Sequence, residues 1–552
     1  MLVTSSTERI WDIKNSTYGF AENIVDIILQ NRGVSKNDLD VSIKKSMPDP
    51  YVFVDMQRAA ERIVKAIENK ESIAILGDYD VDGVSSTAIF VKFFQYIGVD
   101  YKYAIPDRMK DGYGLNKSNI DKFQNSLIIT VDNGAAAIDE LKYAHDKGIE
   151  IIVVDHHEMS IIPENTIVVD PFRPDDQSKY RYLCATGLAM MCVIAINRLL
   201  RERGFYRNRQ EPDLMSFLDL VALATICDVV PLVGLNRAFV TTGLKILQRR
   251  KNYGINAMMN LANKKDVDSE SVGFFFGPRL NASGRLSSAM ISLELLTTKD
   301  EKESSKLAAQ LEQLNEQRKC LDQEMFDIAE TQIDLSQKFI CAYGNDWHAG
   351  VIGIVAGRLK EKYNMPTIVI SCDNGDLCHA SCRSTDDVDI SKVIRKGIEK
   401  QVIVSGGGHA SAGGFVVLKD KINELIEFLK MYDFPDIKPK KFDVECRISV
   451  DDISDKLIEN INTLEPFGQC NERPRFVIEG LIINKLNLIK EKHISLSFEN
   501  STIRGISFNT TGSELEYILQ KKIGVPMSIM GTLAFLTWRN QRYINLLVED
   551  IE

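Results

Sequence analysis

Four short apolar runs in the first third of the chain are rich in isoleucine and valine, and each ends in polar residues. They read SIAILGD, SLIITVDNG, IEIIVVDHHE and TIVVDP, and helix-like segments separate most of them. This alternation is typical of a parallel sheet built from βαβ units. The runs are continuously apolar, which indicates helices on both faces of the sheet. We therefore predict an α/β fold whose polar strand ends meet at one edge, where ligands bind in open sheets.

At 552 residues the chain is too long for a single core, so we predict several domains. An N-terminal segment (1–45) precedes a first α/β domain (46–297). Residues 298–337 are rich in Lys, Glu, Gln, Leu and Ala without glycine or proline, which predicts one long connecting helix. A second α/β domain (338–435) follows. Short β-like runs over 436–552 predict a small closed barrel of the OB type, suited to nucleic acid.

The composition is that of a globular protein, with 44% hydrophobic and 26% charged residues. A net charge of −10 argues against a uniformly basic surface that coats nucleic acid, but leaves room for a local basic track. The start shows no signal peptide, and no stretch reaches about 18 apolar residues, so we expect a cytoplasmic protein without membrane contact. The ten cysteines form no C-x-x-C pair, so we expect reduced thiols rather than a zinc site.

The segment GDYDVDG places Asp78, Asp80 and Asp82 at alternate positions after a strand. A calcium-binding EF-hand loop begins in the same way, but its twelfth position requires glutamate and is Ile89 here. A solvated acidic turn is the simpler alternative. The location at the carboxyl end of a strand favours a ligand site.

Further carboxylates and imidazoles follow two of the other runs: Asp132, Asp155, His156 and His157. Asp228 lies in a segment, 216–232, whose apolar composition predicts a buried helix. If the strands are adjacent, these groups converge and repel one another unless cations lie between them. An oxygen-rich set with an imidazole suits Mn²⁺ or Mg²⁺ better than zinc. We predict two such ions, which together can activate water and stabilise an in-line phosphoryl displacement. In an extended strand the two histidines face opposite ways, so one binds metal and the other meets the substrate.

The segments GDYDVDG, TVDNG, VDHHE and CDVVPL occur in the order of four motifs that they resemble, those of the DHH phosphoesterase superfamily. GGGHASAGG resembles the glycine-rich signature of the DHH-associated domain. PDRMKDGYGL, FFFGPRLNASGRL, EPFGQCNERPRF and WRNQRYINLLVED are similar to motifs of its single-strand-specific 5′ to 3′ DNA exonucleases. The resemblance extends from about residue 50 to the end of the chain.

The resemblance implies five metal ligands: Asp80, Asp82, Asp132, His156 and Asp228. It makes Asp132 the bridging ligand and turns His157 toward the substrate, so that Asp132, His156 and His157 are the catalytic residues. Many members have a histidine four residues before the first ligand aspartate, and Leu76 holds that position here. Water or Asp78 would then complete the coordination.

Other motifs supply groups suited to a nucleic-acid strand. The resemblance places an arginine near the substrate backbone and a serine–arginine pair in a pocket for the 5′-terminal phosphate, while the glycine cluster would let backbone N–H groups approach a phosphate. The predicted substrate-binding residues are Arg108, Arg279, Asn281, Arg285, Ser381, Arg383, Gly407, Gly408 and His409. In the barrel, the residues typical of stacking platforms are Trp538, Arg539, Arg542 and Tyr543.

The function implied by the resemblance is a single-stranded-DNA-specific 5′ to 3′ exonuclease that releases 5′-mononucleotides in recombination and repair. A helicase and a single-strand-binding protein are implied as partners. Two alternatives remain open. A DHH phosphodiesterase for short oligonucleotides or cyclic dinucleotides would usually lack the terminal barrel. A noncatalytic replication scaffold would usually lose acidic ligands that this chain retains.

Overall fold

The computed structural model describes residues 1–39, 41–107, 114–372, 375–538 and 541–552. The chain divides into two compact units. One contains Met1–Val41, Lys438–Phe467 and Asn471–Glu552, and the other contains Ser42–Ile437 and Gly468–Cys470.

The described strands, in chain order, are β1 Leu2–Thr4, β2 Ile10–Ile13, β3 Ile73–Leu76, β4 Tyr101–Ala104, β5 Leu127–Val131, β6 Ile151–Val154, β7 Ile167–Val169, β8 Ile340–Asn345, β9 Thr367–Cys372, β10 Leu377–Arg383, β11 Ser405–Gly408, β12 Ala412–Leu418, β13 Lys441–Val444, β14 Cys446–Ser449, β15 Arg475–Ile489, β16 His493–Phe498, β17 Arg504–Ser507, β18 Pro526–Trp538 and β19 Gln541–Ile551.

The described α-helices are α1 Ile24–Arg32, α2 Lys36–Leu39, α3 Ile43–Ser46, α4 Met56–Glu68, α5 Val81–Ile97, α6 Lys117–Lys122, α7 Ile138–Asp146, α8 Ala185–Glu202, α9 Leu218–Cys227, α10 Gly234–Gln248, α11 Tyr253–Leu261, α12 Ser269–Ser271, α13 Gly277–Leu286, α14 Met290–Thr297, α15 Glu301–Glu330, α16 Ile352–Tyr363, α17 Ile390–Glu399, α18 Ile422–Met431, α19 Asp455–Asn462 and α20 Glu514–Lys521. A π-helical turn, Val272–Phe276, links α12 to α13.

The first α/β sheet has the strand order β4-β3-β5-β6-β7, and every pairing in it is parallel. All residues of β3, β5 and β6 are buried, as the continuous Ile and Val runs predict. Helices including α4, α5, α8 and α9 pack into the same core. Because β3, β5 and β6 are neighbours, their carboxyl ends lie side by side.

The connecting helix α15 spans Glu301–Glu330, shorter than the predicted 298–337. Asp300 caps its start by accepting hydrogen bonds from the backbone N–H groups of Lys302 and Glu303. Beyond its end, Asp334 accepts from the N–H of Ser336, a local turn that competes with helix continuation. The second α/β sheet follows, with order β11-β12-β10-β9-β8 and a single parallel pairing, between β8 and β9.

The unit that includes Lys438–Phe467 and Asn471–Glu552 contains the predicted barrel. Its strands follow the order β15-β16-β17-β19-β18, and β18 pairs again with β15, which closes a five-stranded barrel. The first strands of the chain also belong to this unit, because β2 pairs with β13 in parallel and β1 pairs with β2. Trp11 is fully buried there and donates its indole N–H to Asp550.

Two other findings concern sequence-based expectations. Cys372 and Cys378 face each other across β9 and β10 and form a disulfide, so the expectation of reduced thiols is wrong for this pair. Their cross-strand register, with Cα atoms 4.4 Å apart, explains a pairing that spacing along the chain does not reveal. Among the helices of the described ranges, none has the length and hydropathy to cross a membrane.

Candidate metal centre

Polar side chains from three neighbouring strands meet at the carboxyl edge of the first sheet. Asp78 follows β3, Asp132 follows β5, and His156 follows β6. Asp132 has a φ of 62°, in the left-handed region that few residues other than glycine, asparagine and aspartate adopt. Such a backbone conformation is retained when the surrounding structure requires it, as at many functional sites.

The loop after β3 is shaped by the start of α5. Asp80 caps this helix, accepting hydrogen bonds from the N–H groups of Asp82 (2.9 Å) and Gly83 (3.1 Å). A Cβ atom on Gly83 would lie 2.5 Å from the carbonyl oxygen of Asp78, so only glycine fits there. The segment from Asp78 to Asp82 is therefore packed against the first turn of α5.

Asp82 is held by the amino-terminal end of a second helix, α8. Its carboxylate accepts hydrogen bonds from the N–H of Ala185 (2.7 Å), the N–H of Thr186 (2.8 Å) and the hydroxyl of Thr186 (2.5 Å). The helix dipole favours a negative charge at this position. Three buried donors thus fix the carboxylate in one orientation.

His156 lies among three carboxylates. Its Nε2 is 3.3 Å from Asp132 Oδ1, 3.6 Å from Asp82 Oδ2 and 3.8 Å from Asp228 Oδ2. Asp228 comes from the end of α9 rather than from a strand. Carboxylate oxygens from three residues therefore surround the Nε2 atom of His156.

Three overlapping groups of side chains in the described part of the chain are arranged so that they can hold a metal ion, with ligand atoms within 4.8 Å of one another. They are Asp78, Asp80 and Asp132; Asp82, His156 and Asp228; and Asp132, His156 and His157. Asp132 and His156 each belong to two groups. Asp78 is buried beside Asp80, whereas Leu76 is a fully buried strand residue.

His157 is oriented by Asp155. Its Nδ1 is 2.7 Å from Asp155 Oδ1, and Asp155 also accepts from the N–H groups of Ala135 and His156. Burial opposes protonation of the ring, but the hydrogen bond and charge of Asp155 outweigh it and raise the pKa of His157 to about 9. The two histidine rings lie 4.8 Å apart between centroids, and the His157 side chain is 42% exposed. His157 is therefore a cationic donor at the open side of the cluster.

The carboxylates of the cluster destabilise one another. Burial, and after it the charge of Asp82, raises the pKa of Asp80, Asp132 and Asp228, that of Asp228 to about 9. Divalent cations would relieve this repulsion, and a donor set of carboxylate oxygens with imidazole nitrogen suits Mn²⁺ or Mg²⁺. The residues present therefore fit a metal centre.

Three predicted substrate-binding residues lie on α13, and the structure places them in different roles. The Arg279 guanidinium pairs with Glu312 (2.5 Å) and lies 4.0 Å from the ring centre of Phe275. Asn281 accepts a hydrogen bond from the N–H of Val81, so it supports the loop that carries Asp80 and Asp82. Arg285 donates to the carbonyl of Gly350, which precedes α16.

The predicted residues of the second α/β domain cluster around β10 and β11. Ser381 and Arg383 lie two positions apart on β10, and both approach Gly353 near the start of α16. Gly406, Gly407 and Gly408 belong to the exposed edge strand β11. His409 Nδ1 is 3.7 Å from Glu158 Oε2, close to the VDHHE segment. Arg108, Arg539 and the side chain of Trp538 lie outside the described residues.

Two residues near the cluster, Thr186 and Asp170, were not predicted from the sequence. Thr186 anchors Asp82, and its only sequence signal is a hydroxyl residue at the start of a helix whose first twelve residues are otherwise apolar. Asp170 is fully buried after β7; burial and the charge of Asp155 raise its pKa to about 8. Its Oδ1 accepts from the N–H of Phe172.

Three family models match the chain in the predicted order. They are the DHH family, N-terminal domain over residues 72–225, the DHHA1 domain over 336–432 and the RecJ OB domain over 444–550. The single-stranded-DNA-specific exonuclease RecJ of Bacillus subtilis strain 168 is 32% identical over 524 residues, which cover 91% of this chain. The chain spans 64% of the length of that relative.

Solved structures agree with this assignment. A crystal structure of RecJ from Thermus thermophilus in complex with Mn²⁺ matches with a TM-score of 0.80 and 24% identity, covering 98% of this chain and 79% of the other. A crystal structure of exonuclease RecJ bound to manganese matches with a TM-score of 0.61 and 30% identity, covering 70% of this chain and 96% of the other. Both the predicted fold and the predicted resemblance are confirmed. The chain belongs to the RecJ family of DHH phosphoesterases.

Proposed function

We propose that this protein is a metal-dependent exonuclease that degrades single-stranded DNA from the 5′ end and releases 5′-mononucleotides, in recombination and repair. The observation that carries the proposal is the buried cluster of carboxylates and imidazoles at the ends of β3, β5 and β6. A site of this kind is suited to phosphodiester hydrolysis.

The proposed metal ligands are Asp80, Asp82, Asp132, His156 and Asp228. Asp132 belongs to two of the three potential metal groups, which supports a bridging role. Asp78 belongs to the group that contains Asp80, and it would supply the coordination that Leu76 cannot. Two bound Mn²⁺ or Mg²⁺ ions would supply an activated water and stabilise the charge that develops on the phosphate.

The chain's own side chains have complementary tasks in this proposal. His157, protonated because of Asp155, donates a hydrogen bond to a non-bridging phosphate oxygen. The N-terminal end of α8 holds the Asp82 carboxylate in one orientation. The buried ligands would hold the ions, and the ions would fix the position of the reacting phosphate, which lowers the entropic part of the barrier.

A pocket for the 5′-terminal phosphate would explain action from one end. Ser381 and Arg383 supply a hydroxyl and a guanidinium near the start of α16, where the helix dipole also favours an anion. We propose the same strand-binding task for Arg108, Arg279, Asn281, Arg285, Gly407, Gly408 and His409. For Arg279, a phosphate would have to compete with Glu312.

Two alternatives make different predictions. A phosphodiesterase for very short oligonucleotides or cyclic dinucleotides needs no barrel, yet a complete five-stranded barrel is present in this chain. A noncatalytic scaffold needs no acidic cluster.

We propose that the protein acts in the cytoplasm. We also propose two partners, a helicase that opens the duplex and a single-strand-binding protein.

Label release tests the function. Purified protein with Mn²⁺ is given 5′-labelled or 3′-labelled single strands of about 40 nucleotides, or a blunt duplex, at low salt because salt weakens phosphate contacts. We expect the 5′ label to leave first as a mononucleotide and the duplex to remain intact. Asp132→Asn should abolish release, and asparagine also tolerates the left-handed backbone at this position. Cleavage of a dinucleotide but not of long strands would favour the short-substrate alternative.

A further inference from the structure

Phe274 is exposed in a way that folding does not require. Its side chain is 81% exposed within the π-helical turn Val272–Phe276, whereas its neighbours are held in place. Phe276 is fully buried, and the ring of Phe275 contacts the Arg279 guanidinium at 4.0 Å. π-Helical turns recur at functional sites. The turn therefore presents one phenyl ring to solvent from a well-fixed base.

This turn is packed against the helix end that carries a candidate metal ligand. A Cβ atom on Gly277 would lie 2.7 Å from Cys227 Sγ, and Cys227 Sγ is 3.8 Å from the carbonyl oxygen of Val272. The residues before and after Phe274 thus contact the residue that immediately precedes Asp228. Phe274 therefore belongs to a turn whose two ends pack against the helix end that precedes Asp228.

Val229 is a second exposed apolar residue next to a candidate metal ligand. It directly follows Asp228, its side chain is 63% exposed, and its φ is 55°. The left-handed region is particularly unfavourable for a β-branched residue. Backbone strain is common at functional sites, and here it lies directly after a candidate metal ligand.

We propose that Phe274 and Val229 form an apolar surface that packs against a nucleobase of the single strand at the metal centre. The inference rests on the proposed exonuclease function. Phosphates and sugars find their partners among charged and polar groups, so the base is the part of the strand that fits a phenyl ring and a valine. Every base has a flat π-face, so such stacking tolerates any sequence. In a duplex this face is already covered by neighbouring base pairs, so the contact favours a single strand.

The test compares variants on 5′-phosphorylated single strands with Mn²⁺. One strand is unmodified, and the others each carry one abasic site at one of the first six positions. Phe274→Ala should lower kcat/KM on the unmodified strand about 5- to 150-fold, the range of a lost base–aromatic stack. Phe274→Tyr should stay within about threefold of wild type. The matched control is Met431→Ala, since Met431 is also 81% exposed but lies at the end of α18.

At one position, the abasic site should lower kcat/KM of wild type but cause no further loss in Phe274→Ala. Activity of Phe274→Ala within twofold of wild type would overturn the inference, as would equal losses from every abasic site in both proteins. The variant should also keep the wild-type melting temperature, because the ring is exposed; a drop of several degrees would reveal a packing role instead. If wild type releases no nucleotide, the proposed function fails, and the Kd for the same strands, from fluorescence anisotropy, still compares the two proteins.

Discussion

Replacing Thr186 by valine should weaken Mn²⁺ binding about tenfold, because it removes one of the three donors that orient Asp82. Valine has nearly the same shape as threonine, and both backbone N–H donors to the carboxylate remain. A hydrogen bond to a charged group contributes about 1.5–3 kcal/mol, and tenfold in affinity corresponds to about 1.4 kcal/mol. The expected effect therefore lies at the lower end of this range.

The assay is the Mn²⁺ concentration that gives half-maximal nucleotide release. We expect it to rise about tenfold in Thr186→Val, while the rate at saturating Mn²⁺ stays within about threefold of wild type. Thr186→Ser keeps the hydroxyl and should behave as wild type. Thr225→Val is the matched control, because the buried Thr225 hydroxyl donates to the carbonyl of Val221 in its own helix. A half-maximal concentration within twofold of wild type in Thr186→Val would refute the orienting role of the hydroxyl.

Other predictions concern the surroundings of the cluster. Val229→Gly should leave the melting temperature unchanged or higher, since glycine tolerates the positive φ, yet lower kcat/KM on single strands; a large fall in melting temperature would contradict the strain argument. Asp170, with a pKa raised to about 8, contributes most to stability when protonated at low pH and loses that contribution as pH rises through 8. We expect the free energy of unfolding of Asp170→Asn, measured by calorimetry without metal, to exceed that of wild type at pH 9 by several kcal/mol, at about 1.4 kcal/mol per pKa unit. At pH 4 the two proteins should be similarly stable. A difference that does not change with pH would refute this prediction. Gly83→Ala should reduce nucleotide release more than about a hundredfold. The new Cβ would lie 2.5 Å from the carbonyl oxygen of Asp78, so the start of α5 would have to shift. Nucleotide release within tenfold of wild type would contradict this prediction.

The first sheet and its ligand edge were predictable because their signals are local. Continuous Ile and Val runs indicate buried parallel strands, and every candidate ligand except Asp228 follows its strand within a few residues. The adjacency of β3 and β5 was a condition of the prediction, because β4 lies between them in the chain and pairs with the other edge of β3. Once that condition holds, the strand ends bring Asp80, Asp132 and His156 together.

Other parts depend on long-range packing that no local pattern encodes. Thr186 lies 104 residues from the carboxylate it anchors, so only the packing of α8 on α5 brings them together. The pairing of β2 with β13 joins residues more than 400 positions apart. Val229 has a left-handed backbone conformation, which β-branched residues disfavour, so conformational propensity predicts a negative φ at this position. The role of Arg279 was expected from its charge, but the pairing with Glu312 depends on how α15 crosses α13.

The cluster at the ends of β3, β5 and β6 is expected to bind two ions that share Asp132 as a ligand. The metal-free protein can be titrated with Mn²⁺ and followed by electron paramagnetic resonance. We expect two ions per chain, with a spectrum broadened by coupling between neighbouring ions, and loss of that coupling in Asp132→Asn. A single bound ion, or two uncoupled ions that Asp132→Asn leaves unchanged, would show that Asp132 does not join a pair of ions.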